Sequence, residues 1–311
     1  MSRCIQYPVI TLIGPTGIGK TALTLEICKE FNGEVISMDS MQVYRFMDIG
    51  TAKPTVEERQ QVPHHLIDIA DPDEQYNAAR FVHDCLAAIE AVGKRGKISL
   101  VSGGTGMYLS SLLNGLFDNI QVSPEIRRRL AQEIEAKGNN ALHARLQAID
   151  PVTAQRVHVN DRQRILRALE IYETTGQPWS EKLQQTQRPC TLQRLLQLGL
   201  HCDREEMYER INRRTGQMMK QGLLEEVRAL INRGYACSLP SMGAIGYRHM
   251  CQALQQHCSL ADAVALLQRD TRRYGKRQMT WFRHQLKKTC WTHRSDRDGV
   301  MKKINNFLKS K

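Results

Sequence analysis

No apolar run in this chain approaches the ~20 residues that a helical membrane span requires, which excludes a transmembrane helix at the outset. The residues ahead of the first strand carry no signal-peptide pattern. Nine cysteines are present, yet none falls in the paired spacing of a disulfide framework, which suits a reducing compartment. Cys290-x-x-His293 lacks the second ligand pair that a zinc site needs. There is no internal repeat and no low-complexity tract. Acid is in deficit: 32 Asp and Glu stand against 44 Lys and Arg, a net charge of +12. A small anionic ligand does not require such an excess, whereas a polyanionic partner would exploit it; a generally basic proteome is the other explanation. Together these features predict a soluble cytoplasmic protein without membrane association.

What is present begins with a complete phosphate-binding loop, Gly14-Pro15-Thr16-Gly17-Ile18-Gly19-Lys20-Thr21. The apolar run Val9-Ile10-Thr11-Leu12-Ile13 precedes it and the helix-like Ala22-Leu23-Thr24-Leu25-Glu26-Ile27 follows. Strand, tight turn and helix start are the context this chemistry needs. Glycines let successive N–H groups point at phosphate oxygens, and the helix N-terminus adds the positive end of its dipole. Lys20 supplies a point charge and Thr21 a hydroxyl for Mg²⁺. One ligand is therefore expected to carry a pyrophosphate.

A chain of 311 residues with 41% apolar content can bury one large core or two modest ones. Its first 120 residues or so alternate strands (9–13, 34–38, 98–102) with helices (20–31, 78–93), the pattern of a parallel sheet with helices on both faces. In such sheets ligands collect beyond the carboxyl ends of the strands. The three strand ends carry the phosphate loop, Asp39-Ser40 and Gly103-Gly104-Thr105-Gly106, which are expected to converge on one crevice. From Ser123-Pro124-Glu125, a helix start with Ser as cap, the sequence turns helical and Arg-rich. A strand pattern returns at Leu195-Leu196-Gln197-Leu198-Gly199-Leu200, and residues 205–311 read as mostly helical. The expected organisation is a core of 1–120 and 191–311 interrupted by a helical insertion over 121–190.

Asp39, at the end of the second strand, offers a carboxylate that could hold Mg²⁺ through water, orient a hydroxyl or accept a proton; an ordinary Asx turn is the competing explanation. The third strand ends in glycines with no acidic residue to hold Mg²⁺, which weakens a motor or ATPase reading. Thr105 sets a hydroxyl among those glycines, suited to a phosphate or a leaving-group oxygen or simply to the turn. In the insertion, Arg127-Arg128-Arg129 and the run Asn160-Asp161 to Glu170 are basic; Ile165 and Leu169 could face a core and leave Arg164 and Arg167 partly outward. Such clusters are equally solvated faces with internal ion pairs or nucleic-acid contacts. Near the C-terminus, Arg269, Arg272, Lys276, Thr280, Arg283 and Lys287 recur in steps of three and four residues, a mostly cationic helical stripe. Trp281 and Phe282 interrupt it, either as stacking partners for unpaired bases or as core anchors.

The order of these segments resembles the bacterial-type tRNA dimethylallyltransferase (tRNA isopentenyltransferase) family over essentially the full chain. The resemblance rests on the phosphate loop, on Asp39-Ser40-Met41-Gln42-Val43-Tyr44 with Met47-Asp48-Ile49-Gly50-Thr51-Ala52-Lys53-Pro54, and on Pro63-His64-His65-Leu66. Gly103-Gly104-Thr105-Gly106-Met107-Tyr108, the 160–170 run, Ala244-Ile245-Gly246-Tyr247-Arg248 and Lys276-Arg277-Gln278-Met279-Thr280-Trp281-Phe282-Arg283 complete it.

The resemblance implies a P-loop NTPase-like fold and transfer of a dimethylallyl group from dimethylallyl diphosphate to N6 of adenine 37, next to the tRNA anticodon. It implies Asp39 as the base, the phosphate loop with Lys20 and Thr21 on the pyrophosphate, Thr105 near the leaving oxygen and Arg214 on the diphosphate, with Mg²⁺ as cofactor. Stretches implied to touch the tRNA anticodon stem-loop are Asp39-Ser40-Met41-Gln42, Gln163-Arg164-Ile165-Leu166-Arg167, Gly243-Ala244-Ile245-Gly246-Tyr247-Arg248 and Lys276 through Arg283, with Thr105 and Arg127 counted beside them. No obligate protein partner is expected.

Three departures stand out. The family loop usually reads Gly-Pro-Thr-Ala-Ser-Gly-Lys, whereas Gly17-Ile18 stand here, and Ile18 is expected to remove a hydroxyl near the phosphates. Gly243 occupies the place of a family arginine, so one tRNA contact is expected to be missing. A zinc finger like that of eukaryotic relatives is not expected. Rival readings are an isopentenyltransferase for free adenine nucleotides, a P-loop small-molecule kinase, and a non-catalytic RNA-binding module. The Arg-rich insertion and basic stripe argue against the first, the aromatic-bearing stripe against the second, and intact Lys20, Thr21 and Asp39 against the third.

Overall fold

A computed structural model of the chain describes residues 3–115, 120, 122–184 and 190–310. In chain order the elements are β1 (Arg3–Ile13), α1 (Lys20–Glu30), β2 (Gly33–Met38), α2 (Val56–Gln61), β3 (His64–His65), α3 (Ala78–Lys94), β4 (Ile98–Gly103) and α4 (Gly106–Asn114). There follow α5 (Pro124–Ile149), α6 (Pro151–Arg156), α7 (Arg162–Thr175), α8 (Trp179–Gln184), β5 (Cys190–His201), α9 (Arg204–Lys220), α10 (Leu223–Asn232) and α11 (Tyr247–Leu254). α12 (Leu260–Gln285), β6 (Cys290–His293) and α13 (Arg297–Lys309) complete the chain. It divides into two compact units, Met1–Leu113 with Cys190–Lys311, and Asn114–Pro189.

The first unit holds a six-stranded sheet in the order β3-β2-β4-β1-β5-β6, every pair parallel. This is the expected α/β class, a P-loop NTPase-like sheet flanked by helices. β1, β2 and β4 are rich in Val, Ile and Leu because strands covered on both faces need apolar residues in both directions. Ile10, Leu12, Leu100 and Val35 pack with Leu23 and Ile27 of α1 and with Val300 and Ile304 of α13, so those helices cover one face. Alternation sends Tyr7 and Val9 to the other face, where Tyr7 lies against Gly93 of α3. The β1–β5 register shifts between Ile5 and Pro8, where Pro8 has no N–H to give the ladder.

Two strands escaped the sequence reading. β3 is only His64–His65, too short for a period, and β6 occupies the Cys290-x-x-His293 spacing as an edge strand beside β5. The cysteine expectation also needs correction: Cys237 and Cys251 form a disulfide between the segment after α10 and α11. Their separation of 14 residues matches no framework pattern; the fold's turn at 233–246 brings them together. Among the described residues no helix is long and apolar enough to cross a membrane.

The second unit is helical. Ser123 caps α5 by accepting from the Ile126 N–H, with Pro124 in the first turn. Gly138, at φ 77°, breaks α5 internally. Ile165, Ala168 and Leu169 of α7 pack with Leu130, Ile134, Leu142 and Leu146 of α5 as a separate core. Around that core run ion pairs: Arg129 with Glu173, Arg145 with Glu133 and Glu173, and Arg162 with Glu135.

At the β3 side of the sheet, Glu34 is 3% exposed and accepts from Arg95 Nη2 (2.6 Å) and His65 Nε2 (2.7 Å), with Lys97 Nζ at 3.0 Å. Burial alone would raise its pKa, but the bonds from Arg95, His65 and Lys97 more than offset that and hold it at about 2. A depressed carboxylate contributes stability above its unfolded value of about 4.5 and loses it as pH falls toward about 2. Glu34→Gln is expected to lower unfolding free energy at neutral pH by about 3 kcal/mol and to flatten the acid limb of a urea-denaturation profile. An unchanged acid limb would remove Glu34 as its source.

Candidate active site

Beyond the carboxyl ends of β1, β2 and β4 opens a cavity of about 520 Å³, a volume ordinary for small-ligand sites. Its lining joins Thr16, Gly17, Gly19, Lys20 and Thr21 with Asp39, Ser40, Met41 and Gln42, and with Gly103 and Gly104. The three expected strand ends therefore meet. Further lining comes from segment 50–54, from Arg210 and Arg214 of α9, from Ala244, Ile245 and Tyr247, and from Tyr274 and Gln278 of α12.

The phosphate loop turns through Gly17 at φ 81° and Gly19 at φ 100°, a conformation that disfavours side chains. Gly19 caps α1 without any side-chain bond, so the first-turn N–H groups of α1 have no intrahelical acceptor. Lys20 Nζ donates to the carbonyls of Gly14 (2.9 Å) and Pro15 (3.0 Å). Burial, then the nearby Arg214 guanidinium, push the Lys20 ammonium down to about 8, while Asp39 works in the opposite sense. Arg214 Nη1 donates to Thr16 Oγ1 at 3.1 Å; burial weighs against its charge as well, and Asp39 again opposes. Two cations held at a loop of inward-facing amides make a site for a polyanion.

Ile18 behaves differently from expectation. Its side chain is 1% exposed and belongs to the core with Ile10, Leu12, Leu198 and Leu200. Its N–H donates to Pro15 O and its carbonyl accepts from Arg294 Nε. The side chain at position 18 points away from the cavity, so the Ser-to-Ile departure removes no hydroxyl from the phosphates, and Ile18 offers a ligand neither side chain nor N–H.

Asp39 forms the Asx turn and lines the cavity. Oδ1 accepts from Met41 N (2.8 Å) and Gln42 N (3.3 Å), an Asx turn that fixes the carboxylate in the cavity wall. No donor among the described residues is paired with Oδ2. Thr105 lies outside the lining; its Oγ1 accepts from Ser40 N at 3.2 Å and its backbone closes the turn after β4. It braces Ser40, the residue that follows Asp39.

Gln278 corrects another expectation. It is 7% exposed, its Oε1 accepts from Thr16 N (2.9 Å) and its Nε2 donates to Gly104 O (2.8 Å). That amide ties the phosphate loop to the β4 end and has little left for RNA. The glycines after β4 serve the same docking: a Cβ on Gly104 would strike Gln278, and one on Gly106 would strike the Trp281 ring. Phe282 is fully buried and faces Trp291, so it is the core anchor of the pair, with Trp281 half-buried beside it. Ile165, Gly246 and Tyr247 are likewise interior.

Of the stripe, Arg272 donates to Asn212 Oδ1 and Arg269 to Asp270, and the helix ends before Lys287. Lys276, Arg277, Thr280 and Arg283 remain exposed, with Met279 half-buried. Arg248 pairs with Asp270, Gly243 is exposed and Ala244 and Ile245 line the cavity. In the helical unit Gln163, Arg164 and Arg127 are exposed and Leu166 and Arg167 half-buried; Arg164 pairs with Asp161 and Arg167 with Glu170.

Sequence reasoning passed over Arg210 and Arg294. Arg210 Nε donates to Gly17 O (2.7 Å) and Arg294 Nε to Ile18 O (3.0 Å), with Arg294 also paired to Glu206. Arg210 precedes Arg214 by four residues on α9, a spacing that puts both on one helix face and could have flagged it. Arg294 follows the unrecognised β6 and had no local signal.

A glycine loop between strand and helix, with a carboxylate at the neighbouring strand end, defines a protein of the P-loop class. A family profile described as IPP transferase matches residues 42–285, and the chain belongs to that family. It is 47% identical over 304 residues to a tRNA dimethylallyltransferase of Desulfotalea psychrophila, covering 98% of this chain and 96% of that protein. With a tRNA dimethylallyltransferase of Acetivibrio thermocellus it shares 42% over 300 residues, 96% of each. Among solved structures it resembles a tRNA isopentenylpyrophosphate transferase of Bacillus halodurans (TM-score 0.70, 38% identity, 97% of this chain and 96% of that one). It also resembles a eukaryotic dimethylallyltransferase acting on tRNA (TM-score 0.79, 31% identity, 94% of this chain and 75% of that one).

Because the Lys20 amine is cationic only below about 8, affinity for inorganic pyrophosphate is expected to fall as pH rises through that value. Lys20→Arg, whose charge persists, is expected to show no such fall when both proteins are titrated calorimetrically. Parallel pH profiles would sink the assignment.

Proposed function

We propose that this protein transfers the dimethylallyl group of dimethylallyl diphosphate to N6 of adenosine 37 beside the anticodon of tRNA. The observation that carries this reading is the meeting of Lys20, Arg214 and Asp39 at one cavity. The C1–O bond of the allylic diphosphate breaks as the N6–C1 bond forms, pyrophosphate leaves, and the N6 proton passes to Asp39. The allylic carbon shares positive charge as it departs, so the main work is electrostatic stabilisation of the leaving pyrophosphate. That work falls to Lys20, Arg214 and the loop N–H groups of Gly17, Gly19, Lys20 and Thr21. Adenine N6 is a weak nucleophile because its lone pair is delocalised, so a carboxylate fixed by its Asx turn, with Oδ2 available, suits the base.

The residues present fit Mg²⁺. Thr21 lines the cavity, and its hydroxyl is the donor we assign to the ion. That donor set suits a Mg²⁺ carried mainly by substrate phosphate and water, which Thr21 would help to hold. When bound, the ion neutralises charge on the leaving diphosphate.

An adenine stacked in an anticodon loop cannot reach a cavity, so the target base is taken out of the stack. On α12, exposed Lys276, Arg277 and Arg283 beside half-buried Trp281 form a surface suited to RNA phosphates and bases. In the helical unit Arg127, Gln163 and Arg164 are the positions we assign to tRNA backbone contact. Arg128, exposed and without an ion pair among the described residues, joins them.

The test is transfer of label from dimethylallyl diphosphate to an unmodified anticodon stem-loop with Mg²⁺, with AMP, and ATP plus small acceptors, in parallel. Label on the stem-loop alone supports the proposal; label on AMP alone moves the protein to free nucleotides, and ATP consumption without prenyl transfer makes it a kinase. Asp39→Asn keeps an oxygen for the Asx turn while removing the base. It is expected to lose about 10²–10⁴-fold in kcat with pyrophosphate affinity retained. Near-normal turnover of that variant would remove Asp39 from the role of base.

A further inference from the structure

On α10, far in sequence from the phosphate loop, a single carboxylate collects four donors. Glu226 Oε2 accepts from the backbone N–H groups of Asp48 (3.0 Å) and Ile49 (2.7 Å), and Oε1 from that of Gly50 (3.1 Å) and from the Tyr247 hydroxyl (2.7 Å). A carboxylate has about four acceptor sites, so this one is saturated. Three successive N–H groups converging on one anion form a backbone nest.

The nest fixes more than itself. Gly50, Thr51, Ala52 and Tyr247 all line the cavity. A Cβ on Gly50 would lie 2.5 Å from the Tyr247 ring, so the loop backbone rests directly on that ring. The next two carbonyls, of Thr51 and Ala52, accept from Gln42 Nε2 (3.4 and 3.3 Å), while Gln42 Oε1 accepts from Ser37 Oγ (3.0 Å). Gln42 in turn donates its backbone N–H to Asp39 Oδ1. The far end of the loop is pinned separately by Lys53, which bonds Tyr44 O, Asp48 Oδ1 and Asp68 Oδ1.

We propose that Glu226 is a positioning residue for the acceptor base: it locks segment 48–52 and Tyr247 into one wall of the cavity and, through Gln42, sets the segment that carries Asp39. Glu226 is not among the residues that line the cavity; it acts through the groups it holds. The inference deepens the prenyl-transfer reading and rests on it for the identity of the acceptor. Diphosphate binding depends on the phosphate loop and Arg214, which make no bond to Glu226, so the two substrates are predicted to respond differently to its loss.

Glu226→Gln keeps the size of the side chain but presents an NH₂ to donors that need an acceptor. It is expected to lower kcat/KM for the anticodon stem-loop by about 10–100-fold, the order of loss that follows a misplaced reacting group, with pyrophosphate affinity unchanged. Tyr247→Phe removes one of the four bonds and is expected to cost only a few-fold. Hydrogen exchange at the Asp48, Ile49 and Gly50 amides is expected to be slow in the native protein and fast in Glu226→Gln. A wild-type kcat/KM in that variant overturns the proposal, as does a loss of pyrophosphate binding in proportion to activity, which would mark a residue that merely holds the fold. If the native protein prenylates no stem-loop, the reading of function fails; unchanged amide exchange overturns the positioning role whatever the acceptor.

Discussion

The amide of Gln278 is the bond on which most of the site's geometry depends. It joins a phosphate loop near the N-terminus to a helix that arrives 262 residues later, taking one hydrogen bond from the Thr16 N–H and giving one to the Gly104 carbonyl. Parallel strands bring their carboxyl ends to one edge of the sheet, but they do not fix how the loops beyond those ends lie against one another. α12 does, with Gln278 against Gly104 and Trp281 against Gly106. The close approach explains why side chains are missing after β4, and why an element that reads as a basic surface helix is also a structural keel.

Electrostatics then divides the cavity's work. Lys20, Arg210 and Arg214 crowd the phosphate loop, and each has burial working against its charge. Such cations are stabilised by an incoming anion more strongly than solvated ones, because charges interact further in a medium that screens them less. Asp39 favours the charged forms of both Lys20 and Arg214, and Glu206 that of Arg210.

The sheet, its class and the convergence of three strand ends were legible because each is written locally: apolar runs, glycine turns and a capped helix start have short-range signatures. The phosphate loop and Asp39 were legible for the same reason. What escaped is long-range. Glu226 meets a loop nearly 180 residues earlier in the chain, and Arg294 meets Ile18 across 276 positions. No spacing rule encodes either. The direction of single side chains was also hidden. Ile18 sits inside a binding motif yet belongs to the core, and Phe282 lies in a basic run yet is fully buried, since periodicity alone cannot tell which face of a helix another element covers.

The sheet's two ends carry a consequence of another kind. β3 and β6, its outermost strands, are two and four residues long, while β1 and β5 inside run to eleven and twelve. An edge strand exposes a row of unpaired N–H and C=O groups that can recruit a second chain, and shortness is one of the ways proteins blunt that hazard. With so little free edge, this sheet offers scant template for sheet-to-sheet growth, which leaves its long apolar central strands sheltered from self-association in the folded state.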